Sequence, residues 1–142
     1  MKICDIMNRN VVAVSPEETV SLAARLLARH NIGSLPVCTA DGRLRGVLTD
    51  RDIVLRCIAA DMDPKTTEVR EVMSIGVLTV SPADEPAKAG RKMAEGQVRR
   101  LPVVEKEQLV GIVSLGDLAV HRDTDMEAAQ ALGEISSNLR KL

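Results

Sequence analysis

The chain has 142 residues, 45% of them hydrophobic and 27% charged, with 19 Lys+Arg against 20 Asp+Glu and a formal net charge of -1. That length allows one ordinary domain, or two small halves sharing a core. The balanced charge excludes a broad field for polyanions and disfavours nucleic acid as the main partner. No apolar run approaches the ~20 residues that span a bilayer, and Met1-Lys2-Ile3-Cys4-Asp5 does not begin a secretory signal, so the expectation is a cytoplasmic protein with no membrane partner. Cys4, Cys38 and Cys57 are odd in number and lack metal-ligand spacing, which points to reduced, buried small hydrophobes with no disulfide framework and no metal site. With no Phe, Tyr or Trp, the core must be built from Val, Leu, Ile, Ala and Met, and no aromatic ring can stack on a bound base.

In chain order, a short β-branched strand from Val11 to Val14 is stopped by Ser15-Pro16. The following periodicity predicts a helix with Val20, Ala23, Leu27 and His30 on one face, while Leu22 and Leu26 make a second apolar face. Two strands come next, Leu35 to Thr39 and Leu44 to Thr49, joined by Ala40-Asp41-Gly42, where Gly supplies a positive φ. A short helix runs from Asp52 to Ala60. Residues 61–70, with Pro64 and several polar side chains, read as a linker between residues 1–60 and 71–122.

The second stretch repeats the first at an offset of 66 residues. Val12-Ala13-Val14-Ser15-Pro16 recurs as Leu78-Thr79-Val80-Ser81-Pro82, with Met7 before the first copy and Met73 before the second; Leu35-Pro36-Val37 recurs as Leu101-Pro102-Val103. After one deletion, Gly46-Val47-Leu48-Thr49 recurs as Gly111-Ile112-Val113-Ser114, and each copy places an Asp three residues on, at Asp52 and Asp117. A strand from Val77 to Val80, a helix capped by Asp84 with Pro86 in its first turn, a tighter hairpin of Leu101 to Glu105 and Gln108 to Ser114, and a helix from Asp117 to about Arg122 complete the second copy. Lys88 and Lys92 replace Leu22 and Leu26, which suggests that a neighbour covers only the first copy. Each half reads β-α-β-β-α, and the economical arrangement stacks two such sheets around a pseudo-twofold axis.

The spacing predicts an amphipathic C-terminal helix over residues 123–142. Thr124-Asp125-Met126-Glu127 has capping-box spacing, and Ala128, Leu132, Ile135, Leu139 and Leu142 form an apolar seam. Gly133 costs such a helix up to ~1 kcal/mol, so the seam needs support, from a second subunit or from the protein's own flank.

The chemistry concentrates at Thr49-x-x-Asp52 and Ser114-x-x-Asp117. A Ser or Thr at a strand's end supplies a hydroxyl and an orphan amide, and an Asp where the next helix begins can serve as a plain cap. The same carboxylate can accept both vicinal hydroxyls of a ribose, and a helix N-terminus favours a nearby phosphate.

Gly46-Val-Leu-Thr-Asp-Arg-Asp-Ile53, the earlier Ile32-Gly-Ser-Leu-Pro-Val37 and their second copies resemble the CBS-domain family over residues 3 to 122. A free-standing pair is similar to the small bacterial CBS-pair proteins. The resemblance implies an α/β fold of two tandem β-α-β-β-α repeats, commonly dimerised, that binds an adenosine-containing nucleotide (AMP, ADP, ATP or a relative) in the inter-repeat cleft and signals to a regulated partner. It implies ribose binding by Asp52 with Thr49 and by Asp117 with Ser114. It places Val47, Gly76 and Val77 around one base and Ile112, Asn10 and Val11 around the other, and gives phosphate contact to Arg99 and Arg100, most directly toward the Asp52 site. Gly33 and Ser34 occupy the equivalent positions in the first copy, which predicts unequal sites. Arg51, His121 and Arg122 are weaker candidates; single histidines such as His30 suit core or surface roles. No nucleophile with its base, carboxylate pair, metal cluster, Walker loop or dinucleotide fingerprint is present, so no catalysis and no catalytic cofactor are expected. The competing reading is a purely structural homodimerisation module with vestigial clefts.

Overall fold

The computed structural model describes residues 1–120 and 125–140. His121, Arg122, Thr124 and Leu142 lie outside the described residues, as do the side chains of Asp125, Met126, Glu127 and Leu139. The chain divides into two compact units, Val12–Val77 and Met1–Val11 with Leu78–Leu142.

In the unit of residues 12–77, helix α1 spans Val20–His30. Thr19 caps it, its hydroxyl accepting from the Leu22 amide at 3.2 Å, and Asn31 closes it in the left-handed region at φ 51°. Val20, Ala23 and Leu27 are buried as the periodicity predicts, but His30, in the last turn beside Arg29, is exposed. Strands β1 (Ser34–Cys38) and β2 (Leu44–Thr49) form an antiparallel pair in which Leu35 faces Leu48 and Pro36 faces Val47. Helix α2, Asp50–Asp52, continues into a π-helical stretch over Ile53–Ile58, so the helix begins two residues earlier than expected. The first predicted strand shrinks to one parallel bridge, Val14 to Val37, because Ser15-Pro16 takes the chain out of the sheet immediately after it.

Residues 61–70 are docked onto this unit. The first amides of α1, Val20 and Ser21, donate to the carbonyls of Thr67 and Pro64 at 2.9 Å each, satisfying groups that no intrahelical partner reaches. The Val69 and Arg70 amides donate back to Glu18 and Pro16, and Val69 and Val72 are buried with Val20, Leu35, Val37, Leu48 and Cys57 in one core.

The other unit repeats the plan with helix α3 (Pro86–Gly96), strands β3 (Arg100–Glu105) and β4 (Gln108–Ser114) and helix α4 (Leu115–Ala119). Asp84 does not cap α3: the N-cap is Glu85, and the Asp84 carboxylate instead accepts the Ser81 amide at 2.8 Å, closing the turn before the helix. The strand predicted over Val77 to Val80 is again a single bridge, Val80 to Val103. The hairpin turn puts Lys106 and Glu107 at φ 51° and 68°, a pairing of positive φ values that usually recruits Asn and Gly. The core of this unit is completed by Ile3 and Ile6, with the Ile3 and Cys4 amides donating to Asp84 and Pro82. Each repeat's opening segment therefore packs onto elements of the other repeat.

Helix α5, Asp125–Arg140, packs against α3 and α4 of its own chain. Among the described side chains of α5, Ala128, Ala131 and Ile135 are buried, whereas Leu132, assigned to the seam, is 42% exposed. Of the cysteines only Cys57 is buried; Cys4 and Cys38 are half-buried, and all three are free thiols. No helix among the described residues is long and apolar enough to cross a membrane.

Candidate functional site

Thr49 and Asp52 form a reciprocal capping box at the start of α2. The Asp52 amide donates to the Thr49 hydroxyl at 2.9 Å, and the Asp52 carboxylate accepts the Thr49 amide at 3.0 Å. Ser114 and Asp117 do the same at α4, at 3.1 Å and 2.8 Å. The Ser or Thr is thus the cap, and each Asp is the third residue of its helix rather than the N-cap, because strand and helix join with no intervening loop.

The second part of each site is an edge segment laid against β2 or β4. Ser74 exchanges both backbone hydrogen bonds with Val47, at 2.9 and 3.0 Å, and Asn8 does so with Ile112, at 2.8 and 2.9 Å. Glycine next door suits this approach: a Cβ on Gly46 would lie 2.5 Å from the Ser74 carbonyl oxygen, and one on Gly111 would lie 3.0 Å from the Asn8 carbonyl oxygen. Beyond Ser74 the chain runs through Gly76, at φ 67°, to half-buried Val77; beyond Asn8 it runs through Asn10 to half-buried Val11. Thr49, Asp52, Val47, Gly76 and Val77 accordingly belong to one unit, and Ser114, Asp117, Ile112, Asn10 and Val11 to the other.

Arg99 and Arg100 are exposed at the start of β3. Arg100 is the cross-strand partner of Ser114, and the Arg99 carbonyl accepts the Leu115 amide at 2.9 Å, so the pair stands at the sheet end that carries Asp117. The corresponding end of the other sheet carries Gly33, Ser34 and the exposed Asp50, whose amide donates to Gly33 at 3.0 Å. The two copies differ in charge at this position, Arg99 and Arg100 in one and the neutral Gly33 and Ser34 in the other. Arg51 is exposed on α2.

Two participants escaped the sequence reading. The Ser74 hydroxyl donates to both Asp52 carboxylate oxygens, at 3.2 and 3.3 Å, and Arg56 stands 3.9 Å from Asp52 while donating to the Met73 carbonyl at 3.1 Å. Asp52 is consequently only 8% exposed. The repeat offset pairs Ser74 with Asn8, a change of residue type that masks the position when only matching residues are sought. Among the described residues, no group of three or more His, Cys, Asp or Glu side chains gathers where it could hold a metal ion.

Comparison with known proteins places this geometry. A sequence model of the CBS domain matches residues 3–58 and again 69–129. The CBS domain-containing protein YhcV of Bacillus subtilis is 46% identical over 132 residues, 93% of each chain. The crystal structure of Hypoxic Response Protein I with two coordinated zinc ions is 41% identical, with a TM-score of 0.79 over 85% of this chain and 98% of that one; the sequence of this name is from Mycobacterium tuberculosis. CBSX2 in complex with AMP superposes with a TM-score of 0.73 at 28% identity, covering 84% of this chain and 93% of that one.

Proposed function

This chain belongs to the CBS-domain family as a tandem pair, and from that premise we propose that it is a cytoplasmic, non-catalytic sensor that binds an adenosine nucleotide and transmits its occupancy to a regulated protein. The observation that carries the reading is the duplicated pairing of a helix-capping hydroxyl with a carboxylate, Thr49 with Asp52 and Ser114 with Asp117, each beside an edge segment that leads to a valine, Val77 or Val11. A carboxylate whose second oxygen lone pairs remain available accepts the 2′- and 3′-hydroxyls of ribose together, and charge-assisted hydrogen bonds of this kind are the strong ones. Val47, Gly76 and Val77, and likewise Ile112, Asn10 and Val11, form aliphatic and backbone surfaces for the base; Arg99 and Arg100 supply planar donors for phosphate. The AMP held by CBSX2 supports an adenosine ligand, with AMP, ADP and ATP as the candidates.

Calorimetric titration with AMP and ATP tests it. Asp52→Ala and Asp117→Ala are expected to weaken binding by roughly 10- to 100-fold at the altered site while leaving the far-ultraviolet circular dichroism unchanged. Unchanged affinity in both variants would refute the ribose role.

A second reading, a homodimeric interaction module with vestigial sites, is favoured by one observation: Val54, Leu55 and Ile58 are 55%, 50% and 53% exposed on the helix that follows Asp52. It predicts that Leu55→Glu disrupts self-association measured by sedimentation, and that no adenosine compound binds.

A further inference from the structure

The two carboxylates occupy the same capping box, yet their remaining oxygen capacity differs. At Asp117 the Ser114 amide takes one oxygen at 2.8 Å, and among the described residues nothing donates to the other. Asn8, which the repeat places opposite Ser74, turns its side chain onto its own loop, where its carbonyl oxygen accepts the Asn10 amide at 2.9 Å. At Asp52 both oxygens are already engaged by the Ser74 hydroxyl, at 3.2 and 3.3 Å, and one of them also accepts the Thr49 amide. Arg56 reinforces the arrangement from the next helical turn, with its guanidinium on the Val72 and Met73 carbonyls and 3.9 Å from the carboxylate.

One hydroxyl carries one proton, so the Ser74 contact at 3.2 and 3.3 Å is a single donation shared by the two oxygens, and it competes with a ribose diol for them. From this, and resting on the nucleotide reading above, we propose that Ser74 is a latch on Asp52: the Asp117 carboxylate is open to a ribose, whereas the Asp52 carboxylate accepts one only when the Ser74 hydroxyl is displaced. The latch makes Ser74 a specificity-determining residue, setting the order in which the two sites fill. Its own position does not depend on the hydroxyl, because its backbone is held by the paired hydrogen bonds with Val47. Removing the hydroxyl therefore frees the carboxylate without releasing the segment.

The test is calorimetric titration of AMP and 2′-deoxy-AMP into the full chain, comparing wild type, Asp117→Asn, and Asp117→Asn combined with Ser74→Ala or with Ser74→Thr. Asp117→Asn is expected to remove the tighter AMP site and leave a weaker one. Adding Ser74→Ala is expected to tighten that remaining site for AMP by roughly three- to ten-fold, the value of one displaced hydrogen bond, with a smaller gain for 2′-deoxy-AMP. Ser74→Thr keeps the donor and is expected to leave AMP affinity as in Asp117→Asn alone. An unchanged or weakened AMP site in the Ser74→Ala variant overturns the latch, and so does an equal gain for both ligands, which would make the effect one of space. Absence of AMP binding in wild type and in every variant overturns the latch, and absence of ATP binding in addition overturns the nucleotide reading. Loss of binding confined to Asp117→Asn with Ser74→Ala, in a chain that keeps its circular dichroism, overturns the latch alone.

Discussion

Gly46→Ala perturbs a close backbone approach in the unit of residues 12–77. The added Cβ would sit 2.5 Å from the Ser74 carbonyl oxygen and 3.1 Å from the Met73 sulfur. The sulfur can swing aside, but the carbonyl belongs to a backbone held by hydrogen bonds of 3.0 and 2.9 Å to Val47. Relief requires the edge segment to retreat by at least about half an ångström, in an interior packed as densely as a crystal. Overpacking of this kind costs about 1–3 kcal/mol, and weakening two hydrogen bonds adds up to about 1 kcal/mol each. Against this, Gly→Ala reduces unfolded-state entropy by the equivalent of about 0.4–1 kcal/mol, leaving a net loss near 2–3 kcal/mol. Urea unfolding followed by far-ultraviolet circular dichroism measures this directly, since the chain has no Trp or Tyr to report by fluorescence. With a slope of about 1–3 kcal/mol per molar urea, the midpoint is expected to fall by roughly 1 M. Gly33→Ala is the control: its nearest contact would be the Asp50 carboxylate at 3.5 Å, an ordinary separation, and it is expected to be more stable than wild type by about 0.4–1 kcal/mol. A Gly46→Ala midpoint indistinguishable from that of Gly33→Ala would refute the close-approach reasoning.

Gly133→Ala, on the exposed face of α5 with no atom within 4 Å of the added carbon, is expected to raise stability by about 0.5–1 kcal/mol, read from the same urea transition. Replacing Lys106-Glu107 by Asn-Gly relieves two positive φ values and is expected to raise the thermal midpoint, by the equivalent of about 1–2 kcal/mol; a lower midpoint would show that contacts of these side chains outweigh the strain. The Asp84 carboxyl is held below the usual carboxylate range by the Ser81 amide, with Lys88 assisting. A depressed folded-state value stabilises the fold above the unfolded value of about 3.9, and that contribution disappears as pH falls through the folded value. Asp84→Asn is therefore expected to be less stable than wild type at pH 7, with the difference shrinking as pH falls below the unfolded value of about 3.9 in a series of urea transitions. In the native chain buried Cys57 is expected to resist iodoacetamide, and Cys38, whose thiol burial pushes up in pKa, to react slowly at neutral pH; peptide mass spectrometry after quenching separates the three thiols.

The repeat of order, spacing and residue type is local information, and it was sufficient for two hairpins with their helices and for the two Ser/Thr-x-x-Asp boxes, whereas the opening strand of each copy shrank to a single bridge and His30 turned out of the predicted helix face. The hairpins and caps were legible because turn glycines, Ser-Pro stops and apolar periodicity act within a few residues of where they are written. Which segment completes which core was decided by tertiary structure, because single helical turns such as Ile3–Asp5 and Val69–Glu71 are too short to show a periodicity of their own. Ile3 and Ile6 joined the second repeat's core, and Val69 and Val72 the first's, so the stretch that polarity marks as a linker became a docked wall of α1. The same held for α5: its alternating apolar spacing fits two partners equally well, and packing on α3 and α4 chose the flank of its own chain, turning Ala131 inward and Leu132 out. The carboxylates Asp52 and Asp117 were visible in the sequence as twins. Only the fold, by setting Ser74 against one and turning Asn8 away from the other, made them chemically different.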